Sequence, residues 1–412
     1  MTTVPGPRTV QRSPRPYEAA PATQDRFADG LGRFADDLGR FTDDLFGHLP
    51  RADQRRWAHT YLRGLLLCPG RKSPRRMAAA LHEPRTAPDS LRQFVNQSPW
   101  DWAPARARLA HHAAGRSAPR AWVAEPVLLP KYGRASAGVH RRHVPHLGRT
   151  VNCQAAMGLF LASGDATVLP VGWSLFIDRE WAADPYRRAR SRVPDGVAHL
   201  TPEDQIPELA EWAAAHVPSP SLPLVASLRG APNAGALIAR LDRDGVRFVV
   251  EVRPGLPVLL APHRPDRAGR GDPPAVRAQD ALRLAGRRQV RQVRPGGAHG
   301  EPRPVATLTA DVLVPSGADA APGPRAHGAY RLLARQSTAP QPTRHWITNL
   351  TGAGPEEVLA LTRLLPGAQE TVRALGEEFG LLDFEGRSFP GWHHHVTLVS
   401  AAYAFHRSLG GL

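Results

Sequence analysis

Ala121-Trp122-Val123-Ala124-Glu125-Pro126-Val127-Leu128-Leu129 is an apolar run interrupted by one acid and one proline, and it reads as a β-strand. Val151–Phe160 and Thr167–Phe176 continue in the same character. Beyond them, strand-like Leu222–Ala226 and Val246–Val252 alternate with helical patterns over Ile206–Ala215 and Ala234–Asp244. Strands first and alternation afterwards predict an α+β fold, a mixed sheet with helices on its faces.

On the N-terminal side the character is helical. Residues 1–24 carry Pro5, Pro7, Pro14, Pro16 and Pro21 among polar and basic residues and are expected to form a disordered basic leader. A repeat follows, Arg26-Phe-Ala-Asp-Gly-Leu-Gly, Arg33-Phe-Ala-Asp-Asp-Leu-Gly and Arg40-Phe-Thr-Asp-Asp-Leu-Phe, which sets Phe27, Leu31, Phe34, Leu38, Phe41 and Leu45 at spacings of four and three. That is an amphipathic helix with a heptad seam. The pairs Asp29–Arg33 and Asp36–Arg40 would add about 0.2–0.5 kcal/mol each. The seam either packs on the rest of the chain or makes a homo-oligomer through residues 26–46. Leu49–Trp57 and Tyr61–Leu67 extend the helical pattern until Pro69-Gly70, and Arg71-Lys72-Ser73-Pro74-Arg75-Arg76 is a basic cluster.

Composition bounds the function. The formal charge is +16, with 53 basic against 37 acidic side chains, and Lys72 and Lys131 are the lysines. A field of this sign favours phosphate-bearing partners, although arginine bias also follows from GC-rich coding. Cys68 and Cys153 match no metal spacing and imply no disulfide framework. No apolar run approaches the ~18 residues of a membrane span, so a cytoplasmic protein without membrane contact is expected. Pro254–Pro304 is proline- and glycine-rich and is expected to be loop or disordered.

The C-terminal segment Leu382-Asp383-Phe384-Glu385-Gly386-Arg387-Ser388, then Gly391-Trp392-His393-His394-His395-Val396-Thr397-Leu398-Val399, resembles the closing segment of bacterial DDE transposases of the group named after insertion sequence seven-hundred-one. Leu49–Trp57, Tyr61–Leu67, the basic cluster at 71–76 and Leu91-Arg92-Gln93-Phe94-Val95-Asn96-Gln97-Ser98-Pro99-Trp100-Asp101-Trp102 carry the same resemblance. It implies a ribonuclease-H-like mixed sheet core with a β-rich insertion and an N-terminal helical domain. The expected divisions are a leader 1–24, a helical DNA-binding region 25–117, the first part of the core 118–253, an Arg-rich β-rich insertion 254–350 with candidate strands Val305–Val314 and Ala329–Leu333, and C-terminal helices 351–412. It also implies DNA as partner, with Arg71, Lys72, Arg75, Arg76, Lys131, Arg287 and Arg288 as candidate contacts, and no small-molecule cofactor.

The same resemblance implies two-metal phosphodiester chemistry with Mg²⁺ held by three carboxylates. Aligned residue by residue, Glu125 falls on the first catalytic position, Ser227 on the second and Gln369 on the third. Two of the three are not acids. Glu370 is a possible substitute, but a helix turns about 100° per residue and would aim it elsewhere. Asp204 or Asp242 could instead supply the missing middle acid. If any metal binds, Glu125 is the ligand. The run His393–His395 fits packing better than metal, because adjacent helical residues diverge, and Trp100 and Trp102 fit the core better than base stacking. The expected activity is that of a transposase-family DNA-binding protein whose strand-cleaving centre is impaired. The alternatives are a transposase-derived regulator, an inactive remnant, or a partner that modulates active relatives.

Overall fold

The structure, a computed structural model, describes residues 21–144, 148–201, 203–217, 222–261, 274–292, 304–315, 329–335 and 343–409, with side chains left aside at 21–31, 144, 287–292 and 304–306. The leader therefore lies outside the described residues up to position 20, as do the side chains of Phe27, Asp29 and Leu31.

Strands β1 (Pro119–Pro130), β2 (His140–Val144), β3 (Arg149–Ser163) and β4 (Val168–Leu175) form an antiparallel set in which β1 pairs with β3 and β3 also pairs with β2 and β4. Strands β5 (Leu224–Ser227) and β6 (Phe248–Val252) then join β1 in parallel, through Trp122↔Leu224, Val123↔Val225 and Ala124↔Ala226, and Ser227↔Glu251. A meander followed by two parallel strands is the ribonuclease-H-like arrangement that the sequence implies. Parallel pairing requires a crossover, and α9 (Ala234–Arg243) supplies it between β5 and β6. Pairing of β1 with β5 stops at Ala124↔Ala226, so Pro126, which has no N–H to donate, lies just beyond the parallel register.

The segment after β6 continues the same sheet. Strands β7 (Pro257–Leu260), β8 (Val276–Arg277), β9 (Arg287–Gln292), β10 (Pro304–Leu313), β11 (Tyr330–Arg335) and β12 (Arg344–Thr348) extend it, and β12 closes antiparallel on β6. This corrects the expectation that 254–304 is loop. Its prolines and glycines flank short strands and the helix α10 (Ala278–Ala285), whose Ala278, Ala281 and Leu282 are buried. Residues 262–273 and 293–303 of that stretch lie outside the described residues.

The helical region comprises α1 (Pro21–Phe46), α2 (Ala52–Leu67), α3 (Pro74–Ala80), α4 (Ala87–Asn96) and α5 (Ala103–Arg116). Leu38, Phe41 and Leu45 of the seam are buried, and Phe34 meets Phe405 edge-on with centroids 5.6 Å apart, so this part of the stripe packs within the chain. The expected Asp36–Arg40 pair is replaced by Asp37–Arg40 at 2.6 Å, one residue closer. Helices α2, α4 and α5 surround α13 (Phe389–Ser408), which also packs on β4. Ser388 starts α13 by accepting from the Gly391 amide at 3.1 Å, with Pro390 in the first turn. A helix buried on all sides has to be apolar or internally satisfied all round. Phe389 and Gly391–Phe405 are all buried, which explains why the segment has no polar face. No described helix is long and apolar enough to cross a membrane.

Candidate active site

Sheet register decides which side chains meet. Laterally paired residues of neighbouring strands project to one face. Ser227 pairs with Glu251, and Glu125 is the next residue after the Ala124↔Ala226 pair, which sets it level with Ser227. Glu125, Ser227 and Glu251 therefore form a row across β1, β5 and β6. Helix α12 (Leu364–Glu377) packs on β1 and β5, and Gln369 Nε2 donates to Glu125 Oε1 at 3.0 Å. The three positions aligned from sequence thus come together at one place.

Glu251 was not foreseen. It is 2% exposed, and both of its oxygens are taken. Arg344 on β12 donates through Nε to Oε1 and through a terminal nitrogen to Oε2, each at 2.7 Å. Ser227 Oγ donates to Oε2 at 3.3 Å and Arg229 approaches Oε1 at 3.4 Å. Such a two-pronged pair has fixed geometry. The Arg344 guanidinium also lies over the Trp346 ring, 5.1 Å from its centroid, and its charge is held on by Glu251.

Glu125 is 8% exposed, and its Oε2 has no hydrogen-bond partner. Burial pushes its carboxyl up to about 7, reinforced by the charge of Glu251 and opposed by the Gln369 amide and by Arg344. Glu370 is exposed and pairs with Arg373 at 2.5 Å on its own helix. Asp204 accepts from Asn233 and Thr201, and Asp242 from Tyr330 and Asn349, so each has partners away from the row.

The basic candidates are spread. Arg75 and Arg76 are exposed at the start of α3, while Arg71 pairs with Glu385 at 2.8 Å. Lys72 departs from a surface track: it is 6% exposed and its ammonium donates to the Cys68 carbonyl, while its amide donates to Asp383 at 2.7 Å. Lys131 donates to the Phe384 carbonyl at 2.9 Å, and burial lowers its ammonium to about 8. The segment 382–388 therefore clasps the helical region and the β1–β2 loop together, with Ser136 and Ala137 donating to the Gly386 and Arg387 carbonyls. The side chains of Arg287 and Arg288 lie outside those described, although their backbone pairs with β10.

The three histidines diverge as helical geometry demands. His393 accepts from Arg106 at 3.0 Å and stacks on Trp102. His394 lies between the Val95 and Trp100 carbonyls, stacked on the Trp100 ring. His395 meets Tyr61 and the Gly380 carbonyl. Burial pushes all three well down, the last two to about 4 and about 3. Among the described residues no group of three or more His, Cys, Asp or Glu is arranged to hold a metal ion.

A ribonuclease-H-like sheet carrying a carboxylate row under a late helix defines a nuclease-type core. The sequence profile of the DDE superfamily endonucleases matches residues 44–303, more than half of the chain, and the chain belongs to that family. Among solved structures it is similar to the piggyBac transposase synaptic complex with hairpin DNA, determined by cryo-electron microscopy, at 8% identity and a TM-score of 0.39 over 92% of this chain and 80% of that one. No curated protein matches it in sequence.

Enzymes of this family use divalent metal ions. The donor set at the row does not fit a pair of them. Hard cations of this kind need anionic oxygens. Of the four carboxylate oxygens here, two are engaged by Arg344 and one by Gln369, which leaves Glu125 Oε2.

Proposed function

We propose that this chain is a homologue of the insertion-sequence transposases, of the seven-hundred-one-like group, that binds DNA at terminal inverted repeats or sequences derived from them and does not cut it. Glu125, Ser227 and Gln369 stand at the positions of the family's three acids, with Glu125 the one carboxylate among them. The observation that carries the reading is the Gln369–Glu125 hydrogen bond at 3.0 Å, which sets a neutral amide against the first acid where a third carboxylate would complete the site. An amide donor satisfies Glu125 Oε1 without metal.

DNA recognition falls to the helical region 25–117, with Arg75 and Arg76 exposed for phosphate and the +16 charge drawing the duplex in. Arg287 and Arg288 of the segment 254–350 are further candidate contacts by the resemblance. The protein acts in the cytoplasm, as a transposase relative or as a regulator derived from one.

Fluorescence anisotropy with labelled terminal-repeat duplex in EDTA tests the binding, and a nicking gel with Mg²⁺ or Mn²⁺ tests the chemistry. Metal-independent binding that weakens steeply with salt, and no nicked product, is the expected result. Nicking by the native chain that is lost in Glu125→Ala would overturn the reading.

A further inference from the structure

The acidic row holds two buried carboxylates and one half-buried positive charge, and nothing in the family reading accounts for the positive one. Glu251 stands beside Ser227 in register, so the sheet does place an acid next to the second position, one strand over. Two strand spacings of about 4.8 Å set the Glu125 and Glu251 Cα atoms roughly 10 Å apart, a gap that two glutamate side chains can close around one ion. Glu125 Oε2 lies buried and unpartnered on that row. Ser227 Oγ and the Gln369 amide oxygen are further neutral oxygens within the same cluster. What closes the cluster is Arg344, fixed from β12 by two bonds to Glu251 at 2.7 Å and by the Trp346 ring beneath it.

We propose that Arg344 is an internal counter-ion occupying the charge position of a latent single-cation site formed by Glu125 and Glu251, and that this site takes a hard divalent cation when the guanidinium is removed. The proposal rests on the reading that the centre is not a working two-metal site. A divalent ion entering the native row would lie beside a guanidinium and would have to break a fork-shaped hydrogen-bonded pair, and both effects disfavour it. The hard oxygen donors select Mg²⁺ or Mn²⁺ over softer metals.

The test is Mn²⁺ titration of the full chain followed by electron paramagnetic resonance, with no DNA present. Arg344→Gln keeps one amide donor for Glu251 and removes the charge. It is expected to bind one Mn²⁺ at least tenfold more tightly than the native chain, and Glu125→Gln in that background is expected to lose the binding. Arg344→Lys, which keeps a cation, is expected to behave as native. Native binding as tight as that of Arg344→Gln, or a folded Arg344→Gln that binds no Mn²⁺, would overturn the proposal. If Arg344→Gln is unfolded in EDTA, the proposal requires Mn²⁺ to restore its native circular dichroism, and failure to restore it counts against the proposal. Nicking of DNA by the native chain would instead contradict the functional reading, so the two failures are distinguishable.

Discussion

Glu125 holds its proton in the folded chain through a range where the unfolded chain has released it, because burial raises its carboxyl from 4.5 to about 7. An acid raised on folding contributes stability that is fully present below about pH 4.5 and is lost as the pH rises through about 7. The shift amounts to roughly 3 kcal/mol at most. Glu125→Gln removes the titration and keeps an oxygen for Gln369, so thermal melts in EDTA should show a shallower fall in stability between pH 5 and pH 7 than the native chain. Equal slopes would show that Glu125 does not titrate there. Arg344→Ala leaves Glu251 as a buried charge without its main partner and should cost about 3–5 kcal/mol in denaturant unfolding, whereas Arg344→Met with Glu251→Met should cost much less than the sum of the single changes. Glu125, Ser227 and Gln369 were legible only through the family resemblance, since no local pattern singles them out, and the fold sets them side by side. Arg344 was not legible, because it reaches Glu251 across 93 residues and through a strand pairing that periodicity does not specify. Glu251 did leave a signal, as the one acid in the apolar run Phe248–Val252. Lys72 misled because sequence shows charge and not direction, and its ammonium turns inward to the Cys68 carbonyl.

The elements divide between those set by local pattern and those set by partners. The strands of the core and the helices at 206–216 and 234–243 fall within a few residues of their predicted bounds, because alternation and helical spacing are properties of short windows. The row of strands from 257 to 348 was only partly legible, since short edge pieces between prolines gain their identity from the strand beside them. Helix α13 shows what the His run is for: its rings fill three directions of a buried post, and each ring finds a tyrosine, an arginine or a carbonyl. Two changes test these elements. Gly380 has φ +77°, and a Cβ there would fall 2.5 Å from Lys72 Cγ, so Gly380→Ala should lower stability by about 1 kcal/mol or more and loosen the 382–388 clasp, as read by thermal melts and amide exchange. Leu38 is 1% exposed, and Leu38→Ala should cost about 2–5 kcal/mol if the seam packs within the chain. A loss of oligomer with no loss of stability would assign the seam to an interface between copies.

At the scale of the molecule, one sheet carries both the acidic row and the added strands, and α13 ties that sheet to α2 and α4, on which packs α3 with Arg75 and Arg76. The proposed DNA binding and the row are therefore mechanically joined but chemically separate: the first would depend on exposed arginine and salt, the second depends on buried oxygens. Replacing Arg75 and Arg76 by alanine should weaken terminal-repeat binding and lower the salt slope by about one unit for each phosphate no longer neutralised, with the melting temperature nearly unchanged, because both side chains are exposed. The most direct test of the account is single-turnover cleavage of labelled terminal-repeat DNA in Mg²⁺ and in Mn²⁺, comparing the native chain with a variant carrying Glu125→Asp, Ser227→Asp and Gln369→Glu, each with and without Arg344→Gln. The account predicts no product from the native chain and product from the repaired row, more of it once Arg344 is replaced. Cleavage by the native chain at a rate the repairs do not improve would contradict it.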